Sequence, residues 1–151
     1  MNSLDIQLQL GAAATLTSTA GVLFANVLNQ SVIQGHVENQ LDPVGLFIPY
    51  SAVTINGTQT YQFQVLSDSA SNLTTTPIVV ADTGAMGVTD ARLTSGMGYI
   101  FLALQWGVVL QQYVGAKYTF ANSPSITIGG AWLAPLSAVQ NFLGFPLNYT
   151  P

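Results

Sequence analysis

Hydrophobic and polar residues alternate with a period of two along much of the chain. Leu4, Ile6, Leu8 and Leu10 alternate with Asp5, Gln7 and Gln9, which predicts a half-buried strand. Gly11 to Ala20 is small and Thr-rich and reads as a loop or an extended arm. Val22 to Leu28 is apolar and predicts a second strand. Asn29 to Pro43 is polar, carries His36, Glu38 and Asp42, and reads as a loop. Leu46 to Ile55 is the next strand, with Pro49 suggesting an edge or a bend. Asn56-Gly57 then gives a strong hairpin signal.

In Thr60 to Leu66, Tyr61, Phe63 and Val65 share one face and Gln62 and Gln64 the other. Ser67 to Asn72 is rich in turn-forming residues, and Pro77 to Ala81 is a short apolar strand. Asp82 to Gly98 holds Gly84, Gly87 and Gly96 and reads as turns. Tyr99 to Leu104, Val108 to Leu110, Tyr113 to Phe120 and Ser125 to Leu133 complete the strands. The segment from Gln140 to Pro151 carries Phe142, Phe145 and Tyr149 and reads as an apolar extension that docks on a neighbour. No amphipathic helix stands out. The pattern predicts one all-β domain over residues 1–151, a β-sandwich or jelly roll. Residues 1–20 would form a strand plus an extended N-terminal arm, and 138–151 an apolar C-terminal tail.

Composition sharpens this picture. Hydrophobic residues make up 49%, ordinary for a globular chain, but charged residues make up only 5%, against about 25% in a typical domain. That balance excludes disorder, which needs low hydrophobicity and high charge. Two basic residues, Arg92 and Lys117, cannot build a phosphate-binding surface, so no nucleic-acid partner is expected. Zero Cys and a single His exclude disulfide scaffolds, thiolate sites and a multi-His metal site within one chain. No metal and no cofactor is expected. The mean hydropathy of +0.43 with so few charges fits a surface covered by partners, where Lys and Glu are depleted.

The N-terminus lacks a basic region followed by an apolar core, so no secretory signal is expected. The charge-free stretch from Leu93 to Ala116 is broken by Gln105, Gly107, Gln111 and Gln112. It reads as two buried strands joined near Trp106-Gly107 rather than a membrane span.

Chemical motifs are sparse. Asp82-Thr83-Gly84, after an apolar strand, has the form of an aspartic-protease turn. That chemistry needs two facing carboxylates, hence a homodimer here. A strand-terminating turn is the preferred reading. His36 reads as a solvated loop residue, because no nucleophile turn accompanies it. Asp68, Asp82 and Asp90 lack calcium-loop spacing. Asn56-Gly-Thr, Asn72-Leu-Thr and Asn148-Tyr-Thr match glycosylation sequons, read as chance in a Thr-rich chain. Trp106, Trp132 and Tyr113 could serve as sugar-stacking platforms, with core packing the preferred reading.

Three regions carry a family likeness. Tyr61-Gln-Phe-Gln-Val-Leu-Ser-Asp-Ser-Ala-Ser-Asn72, running on through Thr76-Pro77-Ile-Val-Val-Ala-Asp-Thr-Gly84, resembles the capsid cement (head decoration) proteins of tailed phages. Gln112-Tyr-Val-Gly-Ala-Lys-Tyr-Thr-Phe120 and Ser125-Ile-Thr-Ile-Gly-Gly-Ala-Trp-Leu133 are similar to that family's closing hairpin. Leu8 to Ala20 looks like its Ala/Thr-rich N-terminal arm. The likeness spans about two-thirds of the chain, by pattern more than identity.

It implies a jelly-roll-like fold and a homo-oligomer, dimer or trimer, on the outer surface of a phage capsid. The implied function is structural and non-enzymatic: clamping the major capsid protein against internal pressure. The chain departs from the family pattern in the insertion Val27 to Pro43 and the tail Phe142 to Pro151. Leu16 and Thr17 of the arm, His36, Glu38 and Asp42 of the insertion, and Phe142, Phe145 and Tyr149 of the tail are the expected interface residues. The rival readings are a carbohydrate-binding jelly roll on the virion and a dimeric aspartic protease using Asp82.

Overall fold

The computed structural model describes residues 8–29, 43–94, 98–104 and 111–140. These residues form two antiparallel sheets built from eight rows, some of them broken into shorter strands. Row A holds β1 (Gln9–Gly11) and β2 (Ala14–Leu16); row B holds β3 (Val22–Leu23) and β4 (Leu28–Asn29). Rows C and D are single strands, β5 (Val44–Val53) and β6 (Thr60–Asp68). Row E holds β7 (Ile78–Asp82) and β8 (Met86–Gly87). A single helical turn, α1 (Ala91–Thr94), precedes row F, β9 (Tyr99–Ala103). Row G is β10 (Tyr113–Ala121), and row H holds β11 (Ile126–Ile128) and β12 (Ala131–Pro135).

Sheet I runs in the order A-H-C-F and sheet II in the order B-G-D-E. The chain therefore changes sheet at every connection except D–E; the A–B, C–D, E–F and G–H crossings lie at one end of the sandwich, the near end. The row ends at Asn29, Val44, Asp68, Ile78, Ala103 and Tyr113, which B–C, D–E and F–G connect, lie at the other end, the far end.

The alternation read from the sequence explains the core. Tyr61, Phe63 and Val65 of β6 and Val114, Ala116, Tyr118 and Phe120 of β10 face inward from sheet II. Leu46, Ile48, Ile100, Ile126, Ile128 and Leu133 meet them from sheet I. The Val, Leu, Ile and Phe side chains among them each contribute about 1.5–3 kcal/mol on burial. Phe120 stands edge-on to Tyr61 and Phe63, at 5.0 and 5.4 Å between ring centroids.

Sheet I also buries part of its outer face. Phe47 and Ala134 pack there with Val139, beside Tyr99, Phe101 and Trp132. That second cluster explains the unbroken apolar run at the start of β5, which a one-sided strand would not show.

Several local expectations change. Gly11 to Ala20 is not a free arm: Ala14, Thr15 and Leu16 pair with Ile128, Thr127 and Ile126. The alternation is hidden there because small residues cover an edge row. Val22 to Leu28 is two short strands on β10 rather than one. Pro49 lies in a central strand, between β9 and row H. It is tolerated because the ladder to row H is interrupted opposite it, where Gly129 donates to the Pro49 carbonyl at 2.7 Å. Helical turns occur at α1 and at residues 136–140, both too short to show a period in sequence. The predicted strand Val108 to Leu110 lies outside the described residues.

Candidate functional site

Asp68 organises the far end of the sandwich. It closes β6 and is inaccessible to solvent. Its carboxylate accepts hydrogen bonds from the backbone N–H groups of Ala70, Thr75 and Thr76, at 3.2, 2.9 and 3.1 Å. The Ser69 and Thr76 hydroxyls add longer bonds. Desolvation pushes the carboxyl up, but these backbone donors outweigh it and hold the group below the ordinary carboxylate range. A buried carboxylate is tolerable only with this degree of pairing.

Two further contacts fix the same corner. The Ser67 hydroxyl donates to the Tyr113 carbonyl and accepts from the Gln111 N–H at 2.7 Å. Leu73, with φ of 54°, drops its side chain onto Gly115, where an added Cβ would lie 2.4 Å from it. Glycine at 115 is therefore the seat for the loop's one buried apolar residue. The loop 69–77 becomes a stiff ledge rather than a free turn.

Two of the segments picked out in sequence are rooted beside each other here. The insertion leaves after Asn29, which pairs with Tyr113, and returns at Pro43. The Pro43 carbonyl accepts from the Leu136 N–H at 2.8 Å, at the start of the helical turn that leads into the tail. His36, Glu38, Asp42, Phe142, Phe145 and Tyr149 lie outside the described residues, as does Trp106.

The arm residues are placed elsewhere and need one correction. Leu16 belongs to the core, at 8% exposure, because β2 turns it inward against the sandwich. It has no free surface for an interface. Thr17 beside it is exposed and lies at the near end, opposite the roots of the insertion and tail.

Asp82 is exposed on the outer face of sheet II. Its carboxylate accepts from Gln62 Nε2 at 2.9 Å, Gln64 Nε2 at 2.8 Å and the Gly84 N–H at 2.7 Å. Partial desolvation pushes it up, but the two glutamine amides and Gly84 bring it below the ordinary range. Gly84, with φ of 66°, completes the turn. Thr83 accepts from the Phe63 N–H at 2.9 Å and continues the ladder. The motif thus works as a strand-ending turn whose carboxylate bridges two cross-strand glutamines.

Trp132 packs on the outer face of sheet I, 6.3 Å from Phe47 between ring centroids. Tyr113 is partly exposed at the far end. Asp90 caps α1 and pairs with Arg92 at 2.7 Å; that guanidinium, outweighing desolvation, holds Asp90 low. Among the described residues no cluster of three or more His, Asp or Glu could hold a metal ion. No described helix is long and apolar enough to cross a membrane.

Sequence reasoning took Asp68 as one polar residue in a turn. The signal available was an Asp ending an apolar strand, with Ser, Asn and Thr crowded after it, a composition that favours side-chain to backbone hydrogen bonds. Against known proteins, the chain matches no family model and no curated sequence.

Proposed function

We propose that this protein is a structural, non-enzymatic decoration protein that binds the outer surface of a phage capsid and stabilises contacts of the major capsid protein. The observation that carries the reading is the far end of the sandwich. A ledge locked by Asp68 and Leu73 stands at the same end as the roots of two extra segments of the chain. A clamp needs this combination: a rigid body for shape, and added segments for grip.

The strand orders A-H-C-F and B-G-D-E support a jelly roll, an architecture that serves in viral capsids and lectins. Near absence of charge supports broad, neutral contact with other proteins. Within this reading the insertion, with His36, Glu38 and Asp42, and the tail, with Phe142, Phe145 and Tyr149, grip the capsid. A homodimer or homotrimer on the particle exterior is part of the proposal. The engagement of Asp82 by Gln62 and Gln64 favours the structural turn over a catalytic carboxylate.

The test is a capsid heated with and without the protein. Particles lacking it should rupture at a lower temperature, and adding back the purified chain should restore wild-type resistance. A variant shortened to residue 140 should fold yet fail to restore it. Equal rupture temperatures with and without the protein would overturn the reading.

A further inference from the structure

The hairpin between β5 and β6 carries a chemistry that the docking end does not use. Asn56 and Gly57 are both exposed in it. Asn56 Oδ1 accepts from Gln59 Nε2 at 3.3 Å, while Asn56 Nδ2 and the Gly57 backbone N–H have no partner among the described residues. Gln59 itself is buried, at 8% exposure, and its Oε1 accepts nothing. Its carboxamide stands against Gly57, where an added Cβ would lie 3.3 Å from Oε1. The flanks are pinned: Tyr61 donates its hydroxyl to the Thr54 carbonyl at 2.7 Å, and Asn122 Nδ2 donates to the Thr58 carbonyl at 2.8 Å.

We propose that Asn56 is a site of spontaneous modification, in which Gly57 closes on the Asn56 side chain and converts it to aspartate and isoaspartate. Solvent base takes the proton from the Gly57 nitrogen, which then attacks Asn56 Cγ. The new N–Cγ bond forms as the Cγ–Nδ2 bond breaks, and Nδ2 leaves as ammonia after taking a proton from solvent. The product is a five-membered cyclic imide. One water then opens it. Opening at the side-chain carbonyl leaves aspartate; opening at the main-chain carbonyl routes the backbone through Cγ and leaves isoaspartate. Ammonia is released, water is consumed, and no oxidant or reductant takes part.

Each requirement of that closure is met at Asn56, and at least one is denied at Asn26, Asn72 and Asn122. The attacking nitrogen must be free, the residue after Asn must be small, and the departing Nδ2 must be unheld. Glycine gives the widest access to the bent backbone that ring closure needs. At Asn72 the following residue is the bulkier Leu73, and its nitrogen donates to the Ala70 carbonyl. At Asn26 and Asn122, Nδ2 is held by the Gln9 and Thr58 carbonyls. At Asn56 the one side-chain bond falls on the oxygen, which draws electrons from Cγ and leaves the departing nitrogen free. The aspartate formed keeps Gln59 Nε2 as a donor, now in a stronger, charge-assisted bond. The result is a fixed anion on a turn of a chain that has six acidic residues in all.

The experiment incubates the folded protein at mildly alkaline pH and maps Asp and isoAsp by peptide mass spectrometry. Conversion at Asn56 should run several-fold faster than at Asn26, Asn72 and Asn122, rise in proportion to hydroxide, and vanish in Asn56→Gln. Gln59→Leu should slow it in the folded chain but not in the urea-unfolded chain. Conversion at Asn56 no faster than at Asn122 would overturn the proposal. An unchanged folded-state rate in a well-folded Gln59→Leu variant would overturn the part assigned to Gln59. Asn56 lies at the near end, so neither result depends on the capsid reading.

Discussion

Asp68 shows how one ionised residue can govern a loop in a chain with almost no charge. Its folded-state carboxyl lies below the ordinary range, as do those of Asp82 and Asp90. A depressed folded-state value means that the native state holds fewer protons than the unfolded one. The associated stability is fully present above the unfolded carboxylate value, about 4, and is lost as pH falls from there through the folded values. The protein should therefore hold its melting temperature through neutral and mildly acidic pH and lose it below about pH 4. In Asp68→Asn the amide keeps one acceptor oxygen and turns an NH₂ toward donors. The variant should melt lower at pH 7, show a shallower loss in acid, and be cut by protease within residues 69–77. A melting profile against pH that superimposes on wild type would contradict the role given to Asp68. Asp82 was legible in sequence as a turn because its partners, Gln62, Gln64 and Gly84, sit at a strand end and in the adjoining alternating strand. The role of Asp68 was harder to see, because its donors are backbone groups, which sequence does not distinguish.

At the scale of elements, the period-two signal was readable wherever a strand has one wet face. β6 shows it from Thr60 to Val65 and β10 from Ala116 to Ala121, and the two strands pair residue for residue from Thr60 with Ala121 to Asp68 with Tyr113. It was unreadable in β2 and β3, which are too short, and at the start of β5, which is apolar on both faces. Row H shows a third case. Sequence reads Ser125 to Leu133 as one strand, and the offset to β5 at Val53 with Ile126 returns at Phe47 with Trp132 and holds to Val44 with Pro135. Between them the register shifts after Thr127, Ile128 pairing with Tyr50, and the ladder is interrupted at Gly129-Gly130, opposite Pro49. Gly130 has φ of 139°, and a Cβ there would lie 2.3 Å from the Trp132 ring. Gly130→Ala should cost about 1–3 kcal/mol in urea unfolding and shift tryptophan emission as Trp132 is displaced. Gly87→Ala, whose added Cβ meets nothing within 4 Å, is the matched control and should stay near wild type.

At the scale of the whole molecule, what was legible was the fold class and the paucity of charge; what was hidden was which segments share an end. Proximity of Pro43 to Leu136 depends on row C lying beside row H, a long-range pairing with no local signature. That pairing bears on how binding should respond to salt. Two basic and six acidic side chains leave the surface with little field to screen. Of these, Asp90 and Arg92 are already paired with each other, Asp68 is sealed in its loop, and Asp82 is held by neutral amides. Attraction between exposed charges decays over about 8 Å at physiological ionic strength. A contact made chiefly by apolar and neutral polar groups has little of that term to lose. Under the proposed capsid reading, affinity should therefore change little as salt is raised well beyond the physiological level, while urea should weaken it steeply by solvating apolar and peptide groups. A steep fall in affinity with salt would mean that the few charges, Glu38 and Asp42 of the insertion among them, carry the contact, and that the apolar and neutral polar groups do not.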